Sequence, residues 1–324
     1  MTRRGTSSPI RRSSLASVRS SLPPPRTDCA GGAGARTALV TIVLVLVFLW
    51  VVEVHAHALF KVSWEPAELR IADVALLIVR GPIADAVVEG SVGSRPVSFF
   101  RAAGVYAALV GFDMELAAGR RPWRIEIREP GLKPRSLSGV VSVGRREFPV
   151  QRLTLPTPMV DLDPETERRA MTEAETLRGI YRTMTPERFW RGPFRRPVAG
   201  DEAGTGFGSR RIINGQPRSP HGGTDYAAPR GTPVVAVNEG RVALAADYFF
   251  QGRFVVVDHG LGLHTVYFHL DETRVEIGQR VARGQLLGTV GSTGRATGPH
   301  LHFGVQLRGA RVDPERLLAL PLPD

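Results

Sequence analysis

Between Glu187 and Arg316 the chain is a succession of short apolar runs rich in β-branched residues. TPVVAV, RVALAA, RFVVVDH, LHTVYFHL and QLLGTV follow one another at close spacing, separated by glycine-bearing turns. Runs of this length, with no competing helical period, predict strands, and turns this short favour antiparallel neighbours. The stretch therefore predicts a compact antiparallel β domain with a groove across one sheet face.

The same stretch concentrates the imidazoles. Six of the eight histidines fall between His221 and His302, the other two being His55 and His57. His300 and His302 sit two apart in a run, LHFGVQL, that reads as a strand, so both point to one face and Leu301 to the other. In HGGTD the two glycines argue against a helix, so His221 and Asp225 approach through a tight loop. His269 in YFHL supplies a fifth group. A lone histidine on an apolar strand is ordinarily a core or surface residue, and the clustering is what argues for a site. Neutral imidazole and carboxylate suit zinc, for which three protein ligands leave the fourth position open. Five such residues are enough for a zinc site together with an acid and a base, which points to hydrolysis.

HGGTD, GTPVVAVNEGRV, HGLGLHTVYFHL and VARGQLLGTVGSTGRATGPHLHFGVQL together resemble the lysostaphin-type (LytM-domain) zinc metallopeptidases of bacterial cell walls. The resemblance covers 187–316, with HxxxD, YxHL and HxH in the expected order. It implies His221, Asp225 and His302 as ligands of one zinc ion, and His269 and His300 as the catalytic histidines flanking it. It leaves no ligand role for His259 and His264, which read as structural or rim residues. Arg253 stands where that family commonly has Asn, and Gly304 follows HLHF where Glu is common. The stretch INGQPRSP ahead of His221 is extended, and Asn214, Gln216 and Arg218 in it are candidate substrate contacts. Tyr248, Phe249 and Phe250 read as an aromatic cluster at a hairpin turn, either packing there or walling the groove.

Upstream the chain changes character several times. Residues 1–36 carry seven arginines against one acid, Asp28, with Ser, Gly and Pro filling much of the rest. That composition predicts a disordered cytoplasmic tail. TALVTIVLVLVFLWVV follows, and 37–54 reads as a transmembrane anchor or a signal-peptide core, with Ala56-His57-Ala58 offering a cleavage site. The positive-inside rule then puts the rest of the chain across the membrane. Cys29, the single cysteine, precludes an intrachain disulfide. Residues 59–155 recur in strand-like runs (VALLIVRG, VVEGSVG, VSFF, VYAALVGF, WRIEI) and predict an immunoglobulin-like β-sandwich, without the Cys and Trp framework of antibody domains. Residues 160–186 read as a helical linker: Asp163 caps, Pro164 takes the first helical position, and Glu165 and Glu167 complement the dipole. Thr185 in TPERFW reads as the cap of a second short helical element. Residues 317–324 read as a C-terminal tail.

The net charge of +11 does not argue for nucleic acid, because six of those charges belong to the N-terminal tail. The expected fold class is thus mainly β: membrane segment, sandwich, linking helix and LytM-type peptidase domain. The expected function is zinc-dependent endopeptidase cleavage of peptide cross-links or stem peptides of peptidoglycan. It would take place in the cell envelope, at the outer face of the cytoplasmic membrane (periplasm), with the protein anchored through 37–54 or secreted after cleavage. A regulatory envelope protein is a candidate partner. The alternative is a catalytically inactive LytM-type module that binds wall or activates an amidase. Such modules usually lack several ligands, and all five positions persist here. A cupin-like reading of HLH fails because FGVQL lacks the Glu that pattern needs.

Overall fold

The structure, a computed structural model, describes residues 60–82, 85–200 and 202–323. The expected tail, the apolar run, Cys29 and the Ala58 cleavage site lie outside the described residues. Within them no helix is long and apolar enough to cross a membrane. Strands dominate, as expected.

Eight strands build the N-terminal part: β1 (Lys61–Glu65), β2 (Leu69–Arg70), β3 (Val74–Arg80), β4 (Val87–Val92), β5 (Arg95–Ala102), β6 (Val105–Gly111), β7 (Gly119–Arg128) and β8 (Arg135–Gly144). They pair in the order β1-β3-β6-β5-β4-β7-β8-β2, antiparallel except for β2 on β8. β5 is shared: Arg95–Ser98 pairs with β4 and Phe99–Ala102 with β6, so the sheet turns back on itself there and closes two layers. Leu77, Val79, Ala108, Val110, Ile125, Ile127, Val141 and Val143 fill the space between them.

β7 and β8 alternate buried and exposed residues near their ends, as a half-buried sheet should. β3 and β6 do not alternate, because both of their faces are covered. Ala75 and Leu77 point into the sandwich, whereas Val74, Leu76, Phe100 and Leu109 join a second core with Trp190, Phe194, Leu307 and Val312. Phe100 meets Trp190 edge-on at 5.0 Å. Polar contacts rim this junction: Arg308 Nη1 donates to the Pro96 carbonyl at 2.7 Å, and Arg146 pairs with Asp313 at 2.6 Å.

β9 (Val150–Leu153) lies in the stretch assigned to the sandwich but pairs instead, in parallel, with β10 (Arg210–Ile213), which turns into β11 (Gln216–Pro217). Helix α1 (Pro164–Tyr181) follows. Asp163 Oδ1 accepts from the Glu165 and Thr166 amides at 2.9 and 3.0 Å, as its position before Pro164 predicts. Leu177 of α1 packs on Phe254, Val256 and Val266.

Thr185 does not start a second helix. Residues 185–190 run without regular structure along the hairpin that follows them, where Leu261 N donates to the Thr185 carbonyl and Phe189 N to the His259 carbonyl. Those backbone bonds to a neighbouring element replace the helical ones. The approach is so close that a Cβ on Gly260, at φ +84°, would sit 1.7 Å from the Glu187 carbonyl oxygen.

The C-terminal sheet holds β12 (Thr224–Ala227), β13 (Pro233–Val235), β14 (Gly240–Tyr248), β15 (Gly252–Gly260), β16 (Leu263–Thr273), β17 (Arg280–Val281), β18 (Leu286–Val290), β19 (His300–Leu307) and β20 (Ala310–Val312). Its spine runs β12-β19-β16-β15-β14-β17, all antiparallel. Helix α2 (Pro314–Leu318) closes the fold. Leu317, Leu320 and Leu322 are buried in the same core, so the stretch expected as a tail packs as part of the domain.

Candidate metal centre

Three adjacent strands carry the site. β12 and β19 pair Asp225 opposite His302, and β19 and β16 pair His302 opposite Phe268. The two-residue period of β19 puts His300 and His302 on the open face, while Leu301 and Phe303, both fully buried, anchor the strand in the core. The His302 ring stacks on Phe268 at 5.1 Å, which fixes its plane. His221 precedes β12 in the loop that the glycines were expected to allow. A Cβ on Gly223 would meet the Phe303 carbonyl oxygen at 2.5 Å and His302 Nε2 at 2.6 Å, so the second glycine of HGGTD is what lets this loop lie against β19.

His221, Asp225 and His302 converge. His221 Nε2 lies 2.8 Å from His302 Nδ1 and 3.0 Å from Asp225 Oδ1, and His302 Nδ1 lies 2.9 Å from the same oxygen. Among the described residues this is the one group of three or more potential donors gathered tightly enough to hold a metal ion. His221 Nδ1 donates to the Gly206 carbonyl at 2.9 Å, which fixes the tautomer and turns the Nε2 lone pair inward. Two ring nitrogens and a carboxylate oxygen thus crowd together with at most one proton of His302 between them, a donor set that a cation satisfies. Their separations of 2.8–3.0 Å are about 0.4–0.6 Å shorter than the ~3.4 Å that tetrahedral ligands at about 2.0–2.2 Å would require.

The electrostatics agree. Burial alone would raise the Asp225 carboxyl, but the neighbouring His221 and His302 outweigh it and hold the group well below the usual carboxylate range. Burial pushes His302 down to about 4, against the pull of Asp225. Both groups are therefore in the forms that bind metal, anionic and neutral.

His269 and His300 stand beside this triangle, their ring centres 4.8 Å apart, with His300 Nε2 3.9 Å from Asp225 Oδ1. His269 Nδ1 donates to the Thr293 carbonyl at 2.8 Å and His300 Nδ1 to the Gly298 carbonyl at 2.9 Å. The Nε2 of each ring is left outside these bonds. Burial, then the neighbouring His302 and His300, push His269 down to about 3. Its backbone sits at φ +62°, a costly conformation for a residue with a Cβ, held in part by its amide's bond to the Gln251 carbonyl. All five residues singled out in the sequence are thus brought together.

His259 and His264 lie outside the cluster. His259 is fully buried, with Nδ1 donating to the Glu239 carbonyl and Nε2 2.8 Å from Thr265 Oγ1. His264 Nε2 meets Thr183 Oγ1 at 3.0 Å. Asn214, a candidate substrate contact, instead exchanges two 2.9 Å hydrogen bonds with the backbone of Leu155 and pins the linker. Tyr248, Phe249 and Phe250 do form the tip of the β14–β15 hairpin. At Gly304 a Cβ would meet Val266 Cγ2 at 2.8 Å, so a larger residue there has to displace that side chain. Sequence reasoning missed Thr293, whose carbonyl orients His269, and Arg211, whose Nη2 lies 3.8 Å from Asp225 Oδ2. The period of β10 could have flagged Arg211 only with the position of β12 already known.

The family model for peptidase family M23 matches residues 219–314. The peptidoglycan DD-endopeptidases ShyA and ShyC of Vibrio cholerae are 45% identical over 95 residues (29% of this chain, 22% of theirs) and 40% identical over 129 residues (39% and 29%). The DD-carboxypeptidase/endopeptidase Mpg of Neisseria meningitidis is 42% identical over 104 residues (32% and 24%). The chain therefore spans about a quarter of the length of the curated relatives it matches. A putative M23 peptidase from Pseudomonas aeruginosa, known as a crystal structure, superposes with a TM-score of 0.60 at 32% identity, covering 78% of this chain and 95% of that one.

Proposed function

The chain belongs to peptidase family M23, and from that premise we propose that it is a zinc-dependent endopeptidase that hydrolyses peptide cross-links or stem peptides of bacterial peptidoglycan. The observation that carries this reading is the His221–Asp225–His302 triangle with two further imidazoles on the same open face. The names of the V. cholerae relatives favour a bond in the DD cross-links. An inactive wall-binding module would need none of this donor geometry.

His221 through Nε2, His302 through Nδ1 and Asp225 through Oδ1 are the ligands on this reading, and their donor chemistry fits zinc. Zinc bound there would supply a Lewis acid and lower the pKa of water to about 7. The remaining steps belong to the chain. Burial keeps His269 neutral, the form that accepts a proton, and the Thr293 carbonyl aims its Nε2 at the site. His300, tied by Nδ1 to Gly298, presents a second Nε2 beside it. One imidazole takes the proton of the attacking water. The same imidazole, protonated in that step, returns the proton to the leaving amine, while the second orients the water through its Nε2, help of a kind worth about 10²–10⁴-fold.

On the same reading 187–316 is the catalytic domain and 59–155 positions or restrains its groove. The pairing β1-β3-β6-β5 on one layer and β4-β7-β8 on the other, with β2 parallel on β8, supports an immunoglobulin-like order for that domain. The arginine-rich tail and the apolar run 37–52 support export to the cell envelope. Incubating the zinc-loaded chain with purified peptidoglycan and following muropeptides by mass spectrometry tests the function. New amino termini within cross-links are expected, and intact cross-links alongside bound zinc would refute it.

A further inference from the structure

His269 sits at a break in the strand ladder. Arg253 of β15 pairs with Leu270 of β16 and Val255 with Tyr267, so Phe268 and His269 together stand opposite Phe254 alone. The strand also changes partner here, from His302 of β19 at Phe268 to Val290 of β18 at Leu270. A bulge of this kind bends its strand and re-aims a side chain. This one carries His269 at φ +62°, with its ring centre 4.8 Å from that of His300.

One residue fastens the break from outside the two strands. The hydroxyl of Thr293, in the loop after β18, accepts from the Arg253 amide at 2.9 Å and donates to the Leu270 carbonyl at 2.8 Å. The Thr293 carbonyl accepts from His269 Nδ1 at 2.8 Å. The hydroxyl thus bridges the two strand residues that face each other beside the bulge, and holding it in place also holds the carbonyl that aims the ring. The loop has little slack. A Cβ on Gly252 would lie 2.2 Å from Thr293 Oγ1, and one on Gly294 would lie 2.2 Å from the Gly252 amide nitrogen. Beside them Arg295 N donates to the Phe250 carbonyl at 3.1 Å, and the Arg295 guanidinium lies 4.1 Å over the Phe250 ring.

We propose that Thr293 is a positioning residue for the cleavage reaction, acting through His269: its hydroxyl clamps the bulge, and its carbonyl, fixed by that clamp, sets the orientation and tautomer of the ring. The proposal rests on the endopeptidase reading. Misplacing a catalytic group by about 1 Å costs up to about 10²-fold in rate, so loss of the hydroxyl alone has a measurable consequence.

Thr293→Val keeps the shape of the side chain and drops both hydroxyl bonds, Thr293→Ala drops them without adding a methyl, and Thr293→Ser keeps them. In the zinc-loaded full chain acting on a cross-linked stem peptide, the valine and alanine variants should lose about tenfold to a hundredfold in kcat, with KM and bound zinc unchanged, and serine should restore most of the loss. Nitrogen-15 spectra of the histidine rings, assigned by the signals missing from His269→Ala, read the ring itself. Wild type and Thr293→Ser should show His269 as a single Nδ1–H tautomer, and Thr293→Val a mixture of the two. An unchanged kcat or an unchanged tautomer in Thr293→Val, a serine variant as impaired as valine, or a loss that tracks lost zinc overturns the proposal. Mixed tautomers in Thr293→Val with no cleavage by wild type uphold the positioning of His269 and sink the endopeptidase reading. Cleavage at the wild-type rate by Thr293→Val with one tautomer does the reverse.

Discussion

Replacing Gly223 by alanine adds one methyl where the structure has no room for it. The new Cβ would lie 2.5 Å from the Phe303 carbonyl oxygen and 2.6 Å from His302 Nε2. A comfortable carbon–oxygen contact is about 3.3 Å or more, so something must move by roughly 0.8 Å. Phe303 cannot give way easily, because its ring is fully buried and its backbone pairs with Thr224 on one side and Tyr267 on the other. The displacement therefore falls on the HGGTD loop and on His302, whose ligand atoms now sit 2.8–3.0 Å from one another. Ligand distances tolerate only about 0.2 Å. Overpacking of this kind costs about 1–3 kcal/mol in stability, and disturbing the ligand orientation should weaken zinc by about 10–100-fold. Zinc content after equilibration with a competing chelator, with thermal unfolding of the same samples, reads both effects. A Gly223→Ala protein that keeps wild-type zinc affinity and wild-type Tm would refute the claim that this loop is held by contact with β19.

His221→Ala, Asp225→Ala and His302→Ala should each lose zinc and activity together. His269→Ala and His300→Ala should retain zinc while turnover falls about 10²–10⁴-fold; elemental analysis beside a cleavage assay distinguishes the two groups, and full zinc in His302→Ala would contradict the ligand set. Acid should destabilise the fold through His259, which burial pushes down to about 4. An unfolded imidazole near pH 6.5 takes up the proton first, so this stability is whole above about pH 6.5 and shrinks toward pH 4, by roughly 3 kcal/mol. Urea midpoints of chelator-stripped protein between pH 7.5 and 4.5 should show that slope, with His259→Gln flattening it; identical slopes would count against the assignment.

The site was legible because its spacing is local. Two residues along β19 place His300 and His302 together, and HGGTD states its own loop, so neither needed tertiary knowledge. What escaped was set by contacts between distant segments. Thr185 carries a helix-start pattern, but its carbonyl is taken by Leu261 N across the hairpin. Asn214 resembled a substrate contact because its partner, the Leu155 backbone, lies in a linker that pairs through β9 with its own hairpin. VALLIVRG and VYAALVGF were correctly read as strands. Their lack of alternation follows from a second core on their outer face, built with Trp190 and Leu307. Leu320 and Leu322 looked like the end of a tail because only the assembled core gives them a partner.

The central claim is that one zinc ion held by His221, Asp225 and His302 makes this chain a peptidase. The most direct measurement strips the full chain with a chelator and titrates zinc back while following cleavage of a cross-linked stem peptide. Activity should be absent from the stripped protein and rise to a plateau at one zinc per chain. Full cleavage by the stripped protein would contradict the account.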